Sequence, residues 1–282
     1  MFDVSHVEVR DVVERALAED IGAGDITSQL TIPAALTARG NFLIKQDLVL
    51  AGVELLPLIY IPEGETKVEL FEHSGYNGTP GDIVARVCGN ARLLLGRERV
   101  ALNFLQRLSG IATLARKYVD AVAGTGVQVL DTRKTIPGLR RLEKMSAAAG
   151  GAANHRYGLF DAVLIKNNHI TAAGGVRQAL ERAKQFPGPV EIEVRTRAEL
   201  QEALSAGAKH LLLDNLSPCE AADWIRYVDA RATVELSGGI TLENIRAYAE
   251  IGPDFVSCGA ITHSAPAVDI SFQLELEQQK CG

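Results

Sequence analysis

Apolar positions along this chain keep two different rhythms. Near the start, Val9, Val12, Val13, Ala16 and Leu17 fall at helical spacing and make one apolar face. Ser5 and Glu8 have the spacing of a capping box, Val4 and Val9 that of a hydrophobic staple, and Asp20-Ile-Gly-Ala-Gly24 closes the helix. Short β-like runs follow at 38–44, 48–51, 67–71 and 83–87, with Gly75-Tyr-Asn-Gly78-Thr-Pro80-Gly81-Asp82 the densest turn cluster between them. This pattern predicts a small α+β domain.

From about residue 105 the rhythm becomes strand, polar residue, helix, repeated. Strands are expected at 127–130, 162–165, 190–194, 210–213, 233–236 and 255–258, and helices at 176–186, 197–206, 220–228 and 242–251. Thr196…Glu199 and Ser217-Pro218…Glu220 carry the N-cap chemistry of helix starts. The later strands recur about every 20–30 residues, the span of one βα unit, which favours a parallel α/β barrel over an open sheet. The domains are therefore drawn as 1–105, rejoined by 268–282, and a barrel over 106–267.

Composition narrows the class. A chain of 282 residues holds one large or two ordinary domains. Its 47% hydrophobic and 23% charged content fits a soluble globular protein. A net charge of -6 weighs against a nucleic-acid surface, which needs a basic face. Cys88, Cys219, Cys258 and Cys281 include no C-x-x-C pair, so neither a disulfide framework nor a zinc site is expected, and a cytoplasmic location is. The N-terminal residues lack the features of a signal peptide. The most apolar stretch, 48–61, is broken by Gly52, Glu54 and Pro57, so no membrane partner is expected.

The chemistry lies after the strands. In order, their ends carry Asp131, Arg133 and Lys134; Lys166; Glu193 with Arg195; Asp214-Asn215; Ser237-Gly238-Gly239; and Gly259-Ala260. In a βα barrel these ends gather at one face, where such folds build their sites. Arg forks match carboxylates or phosphates in two-point geometry, so the cations predict a small ligand with more than one anionic group. The turns 237–241 and 259–262 have the glycine-rich form that lets backbone N–H groups approach phosphate. Glu193 and Asp214 suit ribose hydroxyls, Mg²⁺ or a developing positive charge on a sugar carbon. Together these parts describe joining an anionic acceptor to an activated phosphosugar.

With those residues in view the chain resembles the quinolinate phosphoribosyltransferase family. The matching stretches are Glu19-Asp20-Ile-Gly-Ala-Gly-Asp25-Ile-Thr-Ser28, Glu98-Arg99…Leu102-Asn103, Leu108-Ser-Gly-Ile-Ala-Thr113 and Asp131-Thr-Arg-Lys-Thr-Ile-Pro-Gly138. Asn154-His-Arg156, Ile165-Lys166…Asn168-His169-Ile170, Leu213-Asp-Asn215 and Ser237-Gly-Gly239 continue them nearly to the end of the chain. The resemblance implies an N-terminal α+β sandwich domain on an incomplete, open parallel α/β barrel, and a head-to-tail homodimer in which Arg99 reaches the partner's site. It further implies that Arg133, Lys134, Thr135, His155, Arg156 and Lys166 bind the pyridine dicarboxylate. Glu193, Asp214, Ser237, Gly238, Gly239, Gly259 and Ala260 would then hold phosphoribosyl pyrophosphate, with Mg²⁺ on Glu193 and Asp214, and Lys134, Glu193 and Asp214 acting in catalysis. Two departures stand out: Asn167 where an acidic residue is expected, and Val100 in place of a small polar one.

Other readings give the same residues less to do. A lyase using Lys166 as a Schiff base needs the barrel and its phosphate turns but leaves Arg133, His155 and Arg156 without a role. A non-catalytic transport relative leaves Asp131-Thr-Arg-Lys-Thr and His155-Arg156 unexplained. A nicotinate-specific transferase, handling one carboxylate, needs fewer cations. Among the remaining groups, Glu193 rather than Glu191 suits the cleft, and Arg195 reads as structural or rim. Asn168-His169 reads as organising the loop at Lys166. His6, His73, His210 and His263 show no ligand spacing and read as structural, and Asp25-Ile-Thr-Ser28 as a turn and cap.

Overall fold

The structure, a computed structural model, describes residues 2–60 and 66–276. Within them the chain divides into two compact units: Met1–Arg116, Ile136–Gly151 and Ser264–Gly282 make the first, Lys117–Thr135 and Ala152–His263 the second.

In the first unit, α1 (Val7–Ile21) buries Val9, Val12 and Val13, the face that the spacing predicts. Its cap differs from expectation. His6 is the N-cap and accepts the Glu8 N–H at 3.3 Å, whereas Ser5 is drawn off into bonds with Asp3. Gly22, at φ +51°, ends the helix in the left-handed region that glycine tolerates. Asp25 caps α2 (Ile26–Thr31) by accepting the Ser28 N–H at 3.0 Å.

The strands here are β1 (Thr37–Ile44), β2 (Leu48–Val49), β3 (Lys67–Leu70), β4 (Asn77–Gly78) and β5 (Ile83–Asn90). The C-terminal strand Ile270–Leu276 pairs antiparallel with β1, β1 with β5, and β5 with β3; β2 and β4 form a separate small pair. Phe42, Ile44, Leu50 and Leu55, with Leu56, Ile59 and Tyr60 of α3 (Leu56–Tyr60), are fully buried beneath this sheet. Each such side chain stabilises the fold by roughly 1.5–3 kcal/mol.

Several helices were not legible in the apolar pattern, two of them long. The 31-residue α4 (Ala91–Ala121) carries Gly96 and Gly110 in its interior, which weaken a helical reading of the sequence. Gly110 is required by contact, because a Cβ there would collide with the Pro266 carbonyl oxygen. The second is α5 (Arg140–Ala149), where the fully buried Glu143 pairs with Arg107 at 2.9 Å and accepts the Ile136 N–H at 3.2 Å. These bonds help tie residues 136–151 to the first unit, inside the 106–267 span expected to be barrel.

The second unit is one six-stranded parallel sheet built from β6 (Gln128–Leu130), β7 (Val163–Ile165), β8 (Val190–Val194), β9 (His210–Asp214), β10 (Thr233–Ser237) and β11 (Phe255–Ser257). Its order is β6-β11-β10-β9-β8-β7, and among the described residues the end strands β6 and β7 do not pair, so the barrel is open. Helices α6 (Asn167–Ala173), α7 (Val176–Ala183), α8 (Arg197–Ser205), α9 (Pro218–Val228), α10 (Ile245–Ala249) and α11 (Ala260–His263) alternate with the strands. The Thr196/Glu199 and Ser217/Glu220 pairs form capping boxes at α8 and α9, with Pro218 in the first turn of α9. Each of these stops fixes where a strand ends and therefore which side chain stands at the mouth.

Candidate active site

Alternation along a strand decides which side chains share the inner face. Glu191 and Glu193 do so in β8, Leu212 and Asp214 in β9, Glu235 and Ser237 in β10. The strand register sets Glu193 level with Leu212 and Glu235, and Asp214 level with Ser237. Above them opens a cleft of about 560 Å³. Arg133, Lys134, His155, Arg156 and Lys166 line it, as do Glu193 and Asp214; Ser237, Gly238, Gly239, Gly259 and Ala260 complete it. Two expected residues are elsewhere. The Thr135 N–H turns back to the Arg133 carbonyl at 3.0 Å, outside the lining. Arg99 is exposed on α4, in the first unit.

The cationic loops are held by a carboxylate that meets no solvent. Asp131, fully buried at the end of β6, accepts the His155 N–H at 2.8 Å and Asn154 Nδ2 at 2.6 Å. The segment after β6 is held in turn by Thr262 Oγ1, which donates to the Lys134 carbonyl at 2.8 Å. Arg156 donates to the Ala162 carbonyl at 3.2 Å. Burial, then the nearby Arg133, holds the Arg156 pKa below the usual guanidinium range. Two like charges kept close and partly dehydrated are poised for an anion. Lys166 follows Ile165 at the end of β7 as the N-cap of α6, and its N–H donates to His169 Nδ1 at 2.9 Å, so His169 caps that helix.

His155 lines the cleft, and its ring also has partners within the protein. Its Nε2 stands 3.2 Å from Glu191 Oε2 and 3.4 Å from Glu235 Oε2, while Nδ1 accepts the Arg156 N–H at 2.7 Å. Both ring nitrogens are therefore committed within the protein. Burial disfavours the charged ring, but bonds to Glu191 and Glu235 outweigh it and push the pKa up to about 9. The N–H aimed at Nδ1 opposes a second proton there, and both influences keep a proton on Nε2. One ligand atom each of His155, Glu191 and Glu235 lies within 4.8 Å of the others.

Glu193 is buried, with Lys166 Nζ 3.5 Å from Oε2 and Arg195 Nη2 2.7 Å from Oε1. The same Arg195 nitrogen lies 3.5 Å from Asp214 Oδ2, so one cationic nitrogen stands between two carboxylates. Burial, then the neighbouring Glu193, raises the Asp214 pKa. Beyond them Gly238, at φ +92°, passes so close to Asn215 that a Cβ would strike its side-chain oxygen. Asn215 itself takes φ +58°, and its N–H donates to the Ser237 carbonyl at 2.8 Å. At the other turn, a Cβ on Gly259 would lie 2.9 Å from Lys134 Cδ and 3.2 Å from His263 Nε2. A side chain is thus excluded at Gly238, whereas at Gly259 it would have to displace the flexible end of Lys134.

Several contributors were missed. Glu235 and Ser237 have the same parity in one strand, so alternation could have found Glu235; attention to strand ends alone hid it. Glu191 faces inward as alternation requires, but acts beneath the cleft through His155. Arg195 and His263 line the cleft, although the sequence offered Arg195 a structural or rim place and His263 a structural one. Asp131 was visible as part of a motif, and its burial was not.

Family models describing the quinolinate phosphoribosyl transferase N-terminal and C-terminal domains match residues 25–109 and 111–273. The probable nicotinate-nucleotide pyrophosphorylase [carboxylating] of Bacillus subtilis is 36% identical, covering 98% of this chain and 96% of its own. The chloroplastic nicotinate-nucleotide pyrophosphorylase [carboxylating] of Arabidopsis thaliana is 39% identical, covering 96% and 84%. Among solved structures, NadC from Streptococcus pyogenes is similar at TM-score 0.93 and 35% identity, covering 99% of this chain and 100% of that one. The nicotinate-nucleotide pyrophosphorylase from Francisella tularensis matches at TM-score 0.93 and 35% identity, covering 97% and 98%.

Proposed function

The chain belongs to the quinolinate phosphoribosyltransferase family, and we infer that its cleft transfers the phosphoribosyl group of phosphoribosyl pyrophosphate to quinolinate. The products are nicotinate mononucleotide, pyrophosphate and CO₂, a step of NAD biosynthesis. The observation that carries this reading is the gathering of Arg133, Lys134, Arg156 and Lys166 with Glu193, Asp214 and two glycine turns in one cleft.

The pyridine nitrogen of quinolinate attacks the anomeric carbon as the bond to pyrophosphate breaks. Arg133 and Arg156 hold the dicarboxylate, each charged contact contributing roughly 1.5–3 kcal/mol. Glu193 and Asp214 face the positive charge that develops on the sugar. Lys134, beside Gly259, faces the departing phosphates. Once the ring nitrogen is alkylated and cationic, the 2-carboxylate leaves as CO₂, its bonding electrons pass to C2, and a proton takes them up. The 237–239 turn offers backbone N–H groups to phosphate.

Glu193 and Asp214 suit Mg²⁺ because they are hard oxygen donors on neighbouring strand ends. Glu193 Oε1 is buried without an aligned hydrogen-bond donor, and Arg195 already stations a cationic nitrogen between the pair. When bound there, Mg²⁺ would offset negative charge on the pyrophosphate.

The same reading takes the protein to be a cytoplasmic homodimer, with Arg99 of each subunit completing its partner's site. Cys88, Cys219 and Cys258 are free thiols, in keeping with a reducing compartment; Cys281 lies outside the described residues. No helix among the described residues is long and apolar enough to cross a membrane. Incubation with quinolinate, phosphoribosyl pyrophosphate and Mg²⁺, following CO₂ and mononucleotide, tests the activity. Turnover of nicotinate in place of quinolinate would overturn the substrate assignment.

A further inference from the structure

We propose that Arg195 is an exchangeable counter-ion of the acidic pair: it holds the cation position between Glu193 and Asp214 until a metal enters, then turns to pyrophosphate oxygens. This rests on the reading of Glu193 and Asp214 as the Mg²⁺ ligands.

The sequence places Arg195 immediately after Val194, the last residue of β8, and two residues before α8 begins. Its backbone is anchored, because its N–H donates to Glu199 Oε2 at 2.8 Å within the capping-box turn. Only the side chain is at liberty to move. That side chain is 47% exposed, against 4% for Glu193 and 15% for Asp214, so the arginine is the mobile member of the cluster.

The contacts are those of a neutralising charge rather than a fitted bond. Arg195 Nη2 stands 2.7 Å from Glu193 Oε1, yet that oxygen accepts no aligned hydrogen bond and remains buried. The reach to Asp214 Oδ2 is long, at 3.5 Å. A planar guanidinium satisfies a carboxylate best through two parallel N–H bonds, and here it manages neither carboxylate in that way. Two carboxylates side by side are costly without a cation. Arg195 relieves that repulsion and leaves the coordinating lone pair of Glu193 unspent.

A divalent ion and the Nη2 nitrogen cannot share one position. Lys166 holds the other oxygen of Glu193, at 3.5 Å, and is not in the way. The displaced guanidinium remains in the cleft, where its fork matches phosphate oxygens in two-point geometry. Arg195 thereby lowers the affinity for metal alone and raises it for metal with pyrophosphate, coupling the two ligands.

The test is Mn²⁺ binding to the intact protein, read by electron paramagnetic resonance, with and without pyrophosphate, in wild type, Arg195→Gln and Asp214→Asn. Arg195→Gln is expected to bind Mn²⁺ alone roughly two- to fivefold more tightly, the range of one partly exposed ion pair. It is also expected to lose most of the gain that pyrophosphate gives the wild type. Equal Mn²⁺ affinity in wild type and Arg195→Gln, with binding abolished in Asp214→Asn, overturns the counter-ion role and leaves the metal site standing. Failure of wild type and Arg195→Gln alike to take up Mn²⁺, even with pyrophosphate, sinks both.

Discussion

Replacing His155 with glutamine removes the ring whose Nε2 stands 3.2 Å from Glu191 and 3.4 Å from Glu235. Folding raises the His155 pKa from 6.5 to about 9: burial opposes the charged ring, and bonds to Glu191, then Glu235, outweigh it. A rise of that size corresponds to roughly 3 kcal/mol. With the side chain 15% exposed, solvent screening removes little of this. A second proton on the ring, however, displaces the Arg156 N–H from Nδ1, which costs about 1–1.5 kcal/mol. About 2 kcal/mol remains. Because the folded pKa lies above the unfolded one, that stabilisation is complete below about pH 6.5 and is lost as the pH rises between about 6.5 and 9. Urea unfolding of wild type and His155→Gln near pH 6, 7.5 and 9.5 measures it. The stability gap between them should shrink by about 2 kcal/mol across that range. A gap that stays constant to within about 0.5 kcal/mol would refute the assignment of His155 as the buried counter-charge of Glu191 and Glu235.

Four further outcomes are expected. Arg133→Ala and Arg156→Ala should each lower kcat/KM for quinolinate about tenfold to hundredfold, and near-wild-type steady-state kinetics in both would remove the dicarboxylate pocket. Gly238→Ala forces a side chain into a φ of +92° and onto Asn215, so equilibrium binding of phosphoribosyl pyrophosphate should weaken at least about tenfold, and the melting temperature should fall by about 2–10 °C. Glu143→Ala removes the fully buried partner of Arg107 and the acceptor of the Ile136 N–H, and denaturant unfolding should report a loss of roughly 3 kcal/mol. Co-expressed Arg99→Ala and Lys166→Ala chains, each inactive alone, should regain activity in mixed dimers; no regain would remove Arg99 from the partner's site.

The legible part of this protein is what local chemistry dictates. Val9, Val12 and Val13 announced the buried face of α1, and Thr196 with Glu199 announced the start of α8, because spacing and capping act over a few residues. A repeating βα period announced a parallel barrel and brought Arg133, Lys166, Glu193, Asp214 and Ser237 to one mouth. What stayed hidden depends on neighbours remote in the chain. Gly96 and Gly110 made α4 read poorly, yet Gly110 is there for the Pro266 carbonyl, more than a hundred residues away.

The amino-acid order by itself determined which residues could serve: the cations, the carboxylates, the glycines and the strand ends that carry them. Tertiary structure alone decided how they divide the work. His155 reads as a ligand, and the fold adds Glu191 and Glu235 at its Nε2; Arg195 reads as structural or rim, and the fold sets it between Glu193 and Asp214. Both outcomes turn on distances of a few ångströms between separate strands and loops. Periodicity sets the face on which a charge stands, but only packing sets which opposite charge it meets, and at such separations that meeting governs both protonation and affinity.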